Sequence, residues 1–370
     1  MMPEHWSRGH PPARPSRVYC GAMASEGGNI GDGNGSTDHP AAARPASAGS
    51  ANAPKLRRIE ITNYKAIDHL VLEIPAPVMA SDADIFVVGS KNGVGKTSLL
   101  ECCAIAHTGK RIATATIIGE ELKAGIRSGA KNFTIDSSYA PGSTSSVRVW
   151  DVDKSEFLPT GDRYRWPLSP GESDALFGRA PDPLIHGDLL LFHSHRRVAE
   201  GPMHLQEMLA PKEGHGSSAI KLAIMSMMLA KSGLLEGFSE PEAESRLERL
   251  NDVLSIFAGG RLDKLRTVTE SRLDIRIATP TGSTFSFDAL SSGQKEIVST
   301  LFLIWNETRH RPSLVLIDEP ELHLNAEWQR EFIYQLHALA PQNQYILATH
   351  SEEIFASVSS DRRVLLGPHG

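Results

Sequence analysis

At 370 residues, 40% hydrophobic and 22% charged, the chain can bury a sizeable core as one large or two ordinary domains. A formal net charge of −6 excludes a surface basic all round, although a local basic face for nucleic acid stays open. The three cysteines, Cys20, Cys102 and Cys103, contain no C-x-x-C pair and outline neither a disulfide framework nor a zinc site.

Residues 1–54 are rich in Gly, Pro, Ala and Ser. Such a segment cannot offset its ordering entropy by burial, so it is predicted to be a disordered tail. No stretch approaches the roughly 18 apolar residues of a membrane span, and the N-terminus lacks an apolar signal core. The expectation is a cytoplasmic protein with no membrane contact. Residues 56–74 alternate apolar and polar side chains (Ile59, Ile61, then Leu70, Leu72, Ile74), which predicts two antiparallel strands joined near 63–68. Residues 85–89 are apolar without alternation, as in a strand covered on both faces, and a helix is predicted from Lys96 to about Thr108. From 111 to about 183 the pattern is mixed, with a short helix near 120–127, strands at 132–138 and 146–151, then a Pro- and Gly-rich stretch. A strand at 188–192 runs into His193-Ser194-His195-Arg196-Arg197. Amphipathic helices follow at 217–231 and 241–257, then strands at 273–278 and 284–287. A helix at 292–308, a strand at 314–317, a helix at 326–339 and strands at 345–348 and 364–366 complete the chain. Strands alternating with helices give an α/β class with a mainly parallel sheet.

The chemistry begins after the strand at 85–89. Ser90-Lys91-Asn92-Gly93-Val94-Gly95-Lys96-Thr97-Ser98 reads as a glycine-rich loop opening a helix. Gly93 and Gly95 allow the tight turn that aims backbone N–H groups at a phosphate. Lys96 is placed to reach the β- and γ-phosphates of ATP, and the Thr97 hydroxyl to ligate Mg²⁺. The first glycine of the usual G-x-x-x-x-G-K-[ST] pattern is replaced by Ser90, with Gly89 before it to absorb any strain. Downstream, Leu314-Val315-Leu316-Ile317 ends in Asp318-Glu319-Pro320. At the end of a buried strand Asp318 is expected to hold Mg²⁺. Glu319 beside it is the expected general base for the attacking water.

With Leu290-Ser291-Ser292-Gly293-Gln294 the sequence resembles a known family. L-S-x-G-Q is similar to the signature of ABC-class ATPases, and implies that Ser291, Ser292, Gly293 and Gln294 meet the γ-phosphate held by the opposite subunit. His350, at the end of Tyr345-Ile346-Leu347-Ala348-Thr349, matches the family's switch histidine. Glu319-Pro320-Glu321-Leu322-His323-Leu324 resembles the D-E-P-E-x-H-L segment of the SMC-like and OLD-type branch, which includes RecF-like and phage-defence ATPases such as the Septu and retron-associated ones. Residues 56–65 look like that branch's first strand, which implies that Asn63 and Lys65 lie near the nucleotide.

The resemblance implies a domain over 55–370: an ABC-type P-loop head with an N-terminal antiparallel β subdomain, and a β/helical insertion at about 111–290 in place of a long coiled coil. It implies ATP and Mg²⁺ as cofactors, a homodimer closed by an ATP sandwich, and control of a separate effector such as a nuclease or toxin. A RecF-like repair ATPase that binds nucleic acid directly is the alternative. A transporter subunit fits less well, because of the segment at 321–324. A Q-loop glutamine has no clear position; 193–197 occupies its region. His193 and His195 share a strand face but have no carboxylate or cysteine beside them to make a metal site. The sequence ends soon after His350, so the nuclease domain that OLD-type proteins carry after this point is not expected here.

Overall fold

The computed structural model describes residues 53–79, 82–90, 93–110, 115–151, 163–204, 218–234 and 239–367. The expected tail over 1–54 falls almost wholly outside them. The chain opens with β1 (Lys55–Tyr64) and β2 (Ile67–Glu73), the antiparallel pair anticipated from alternation. Next come β3 (Asp84–Ser90) and α1 (Lys96–Gly109), then β4 (Ala115–Ile118), α2 (Glu120–Lys123), β5 (Asn132–Ala140), β6 (Ser143–Trp150) and β7 (Arg163–Arg165). Helix α3 (Pro170–Leu176) lies in the stretch that the sequence pattern left without structure. It is started by a capping box in which Ser169 and Glu172 satisfy each other's N–H groups. The chain continues through β8 (Leu184–His186), β9 (Leu189–Phe192), β10 (Met203–His204), α4 (Ala219–Lys231) and α5 (Glu240–Phe257).

Strands β11 (Arg261–Thr269), β12 (Arg272–Ala278) and β13 (Thr284–Ser286) form an antiparallel group with β10. No sequence pattern announces β11, because most of its side chains are exposed and no period-two burial marks it. The last third is α6 (Ser292–Thr308), β14 (Leu314–Asp318), α7 (Ala326–Leu339), β15 (Gln344–Thr349), α8 (Glu352–Ala356) and β16 (Arg363–Leu366). Among the described residues no helix is long and apolar enough to cross a membrane.

The central sheet has the order β16-β3-β15-β14-β9-β8 and is parallel except for β8. Its apolar runs are explained by two cores. Phe86, Val88, Leu189, Leu191, Leu314, Leu316, Ile346 and Ala348 face one side. Ile85, Val87, Leu190, Phe192, Val315, Ile317, Tyr345 and Leu347 face the other. Successive side chains of a strand point to opposite faces, so a sheet covered twice needs apolar residues at every position. The first core is closed by α1 and a second sheet, ordered β2-β1-β5-β6-β4-β7, whose β1, β2, β5 and β6 run antiparallel. The second core is closed by α4, α5, α6 and α7. Burial between two sheets is why α1 reads Leu-Leu-Glu-Cys-Cys-Ala-Ile-Ala, with no polar face. Gln344 ties the two sheets together: its carboxamide accepts from the Leu56 N–H at 2.7 Å and donates to the Leu56 carbonyl at 2.9 Å.

Candidate nucleotide site

The parallel register sets Asp318 beside Ala348, which pairs with Val88, and Thr349 beside Gly89. The loop after β3, the acid pair after β14 and the histidine after β15 therefore share the carboxyl edge of the sheet, where α/β folds bind ligands. Gly95 caps α1 with φ 96°, and Gly93 has φ 81°. A Cβ on Gly93 would meet nothing within 4 Å, so glycine is required there by its backbone angle alone. Ser90 closes β3 as an extended residue, so the departure from the usual motif carries no strain for Gly89 to absorb. Gly89 serves packing instead, since a Cβ there would sit 2.8 Å from the Phe355 ring of α8. Lys91 and Asn92 lie outside the described residues. Val94 packs half-buried against the first core, and Ser98 is buried in α1.

Lys96, the first residue of α1, is buried. Its ammonium donates to Ser90 Oγ at 3.1 Å and to His350 Nε2 at 2.6 Å. Burial lowers its pKa, against the opposing charges of Asp318, Glu319 and Glu321. The Thr97 hydroxyl donates to Asp318 Oδ2 at 2.7 Å. Asp318 is 1% exposed, and its Oδ1 is buried without a hydrogen-bond partner. Burial first, then the charge of Glu319, pushes its carboxyl up to about 6. An orphaned carboxylate oxygen next to a threonine hydroxyl is what a Mg²⁺ site needs from protein that leaves the other ligands to phosphate and water. Among the described residues, no group of three or more His, Cys, Asp or Glu could hold a metal by itself.

Glu319 adopts the left-handed φ of 48°, its N–H donating to Ala348 O at 2.8 Å. Its carboxylate lies 3.6 Å from His350 Nε2. Glu321 fixes the histidine's backbone by accepting from the His350 N–H at 2.6 Å and the Thr349 hydroxyl at 2.7 Å. Sequence reasoning assigned Glu321 only by resemblance; this clamp between the two loops is its physical role. Behind the acid pair lies Arg196, which is buried, bonded to backbone carbonyls, and 2.7 Å from the half-buried Glu296. No motif announced the pair, because its partners are 100 residues apart in a chain folded between them.

The signature begins α6 as a capping box. Ser291 Oγ accepts from the Gln294 N–H at 3.2 Å, and Gln294 Oε1 accepts from the Ser291 N–H at 2.9 Å. Gln294 also donates to Phe257 O at 3.0 Å, which anchors the motif to α5. Ser292 is exposed on the first turn. Gly293 is buried against the loop after β14, where a Cβ would come within 2.3 Å of the His323 carbonyl oxygen. Asn63, near the end of β1, and Lys65, in the turn to β2, have φ 59° and 45°, and Ile67 at the start of β2 lies 3.2 Å from the Cβ position of Gly95. The turn thus abuts the phosphate loop. The Lys65 ammonium, however, is held by both oxygens of buried Glu101 at 2.7 Å, with Tyr64 OH on the same carboxylate at 3.0 Å. His193 and His195 stack with ring centroids 5.5 Å apart, and His193 Nε2 donates to Leu176 O at 2.7 Å. That is a structural role.

A family model described as "AAA domain, putative AbiEii toxin, Type IV TA system" matches residues 229–356, the span holding the signature, the acid pair and His350. Over that span the chain is similar to ATPases of the phage-defence type. Among curated proteins it is 29% identical over 146 residues to the Septu protein PtuA of Bacillus thuringiensis, covering 35% of this chain and 37% of that protein. It is 30% identical over 111 residues to the Retron Vc95 probable ATPase of Vibrio cholerae serotype O1 biovar El Tor, covering 27% of this chain and 21% of that protein. The chain therefore spans well under half the length of these relatives. Among solved structures it is similar to an Smc head bound to the C-winged helix domain of ScpA, at 13% identity and TM-score 0.45, covering 82% of this chain and 92% of that one. The SMC head domain from Thermotoga maritima gives 13% identity and TM-score 0.39, with the same coverage.

Proposed function

We propose that the chain is an ATP-hydrolysing, nucleotide-dependent dimeric switch that controls a separate effector, a nuclease or toxin, in defence against phage. The observation that carries the ATPase part is the pair of contacts at the sheet edge, Lys96 to His350 and Thr97 to Asp318. They join motifs 254 and 221 residues apart into one cluster beside a helix N-terminus that favours anions. Residues 55–370 are read as one ATPase domain, with the part between about 111 and 290 as its insertion.

In this reading Lys96 and the loop N–H groups of 90–95 bind the phosphates, and Ser98 supports them from α1. Thr97 and Asp318 would hold Mg²⁺, which supplies charge neutralisation at the β- and γ-phosphates. Glu319 takes the proton of the attacking water as general base. His350, pinned through its backbone by Glu321, reports on the γ-phosphate. Exposed Ser292 and the α6 N-terminus are offered to the nucleotide of a second copy. The Ser291 hydroxyl already caps its own helix, so its part in that contact is shared with the cap. The defence role and the effector are supported by the likeness to the Septu and retron proteins.

Lys96→Ala is expected to abolish nucleotide binding, and Glu319→Gln to trap an ATP-bound dimer visible by light scattering. If Glu319→Gln bound ATP but stayed monomeric, the sandwich would be wrong. Pull-down of that variant from its native host with Mg-ATP should recover a small soluble nuclease or toxin in stoichiometric amount. Recovery of DNA alone would replace effector control by a repair clamp.

A further inference from the structure

We propose that Arg196 is a positioning residue for hydrolysis, holding the backbone beneath Glu319 and making that hold depend on the signature helix through Glu296. The inference rests on the ATPase reading above and deepens it.

Glu319 has φ 48°, a conformation comfortable for glycine and uncommon for a residue with a Cβ. Such a residue persists only where its surroundings over-determine it. Here Arg196 Nη1 donates to Asp318 O at 2.7 Å and to His193 O at 2.8 Å, while Nη2 reaches Glu319 O at 3.3 Å. One planar fork thus spans the consecutive carbonyls of the acid pair and ties them to the loop after β9. A lysine offers point donors on a flexible stem and cannot span them.

The same Nη2 lies 2.7 Å from Glu296 Oε1, the two side chains being 8% and 11% exposed. Glu296 is in the second turn of α6, the helix that Ser291 caps. A rigid helix carries the signature at its tip and Glu296 on its flank, so displacing the tip moves the carboxylate that anchors the fork. Space for such a shift exists: Arg196, Glu296, Ser292 and His323 line a cavity of about 560 Å³. The Glu319 carboxylate, 3.6 Å from His350, is the group whose aim would change.

The test compares Arg196→Lys, Arg196→Met and Glu296→Gln by steady-state turnover of Mg-ATP and by affinity for a fluorescent ATP analogue. Thermal melts check folding, and Arg196→Lys and Glu296→Gln keep the test valid should Arg196→Met fail to fold. Turnover should fall about tenfold or more in Arg196→Lys and severalfold in Glu296→Gln, with affinity within about twofold, because the Lys96, Thr97 and Asp318 side chains are untouched. In a Glu319→Gln background the same substitutions should cause no further loss, since residues acting as a unit are non-additive. Parallel loss of affinity and turnover, or additive losses in that background, would overturn the proposal. Wild-type turnover with an unaffected Arg196→Lys would overturn it alone; a wild type without turnover would overturn the ATPase reading and this inference with it.

Discussion

Gly293→Ala separates two reasons for a glycine in the signature. The added Cβ would lie 2.3 Å from the His323 carbonyl oxygen and 3.2 Å from its carbonyl carbon. Real Cβ contacts do not fall under 3.0 Å, so helix and loop must part by at least 0.7 Å. Neither yields easily. The helix start is fixed by the Ser291–Gln294 box and by Gln294 on Phe257 O. The loop already holds His323 at φ 60°. Overpacking of this kind costs about 1–3 kcal/mol, or a fall in Tm of roughly 2–4 °C per kcal/mol for a domain of this general size. The assay is a thermal melt without nucleotide, repeated with Mg-ATP. A drop of several degrees is expected in both. An unchanged melt without nucleotide would refute the packing argument and leave the glycine explained by a ligand contact alone.

Lys65→Met strands the Glu101 carboxylate, which is 3% exposed, and should cost about 3 kcal/mol in urea unfolding; adding Glu101→Gln should recover much of it. Gln344→Leu removes the amide that serves both the N–H and carbonyl of Leu56, and is expected to cost about 2–3 kcal/mol in the same assay. An effect below about 0.5 kcal/mol would mean that water replaces the amide. Burial pushes His193 down to about 4 from an ordinary 6.5. The unfolded chain then binds the proton more readily, so this stability is present above about 6.5 and is lost as pH falls toward 4. Between pH 7.5 and 5 the loss should be about 2 kcal/mol, and His193→Gln should flatten that part of the profile.

What the sequence determined by itself is whatever is encoded locally. Helices α6 and α7 were bounded residue for residue, because Ser291 and Asn325 are caps and their apolar periodicity is unbroken. The phosphate loop was readable because glycines at positive φ and an adjacent Lys-Thr leave a linear trace, and the acid pair because it ends an apolar strand. Cooperation across the fold left no such trace. Arg196 looked like any arginine after a strand, until the parallel register of β9 against β14 laid it under the Asp318 and Glu319 carbonyls. Lys65 looked free for the nucleotide, and only the packing of α1 against β1 paired it with Glu101. A buried charge takes its meaning from what is buried beside it, and those neighbours are chosen by tertiary contacts between segments far apart in the chain.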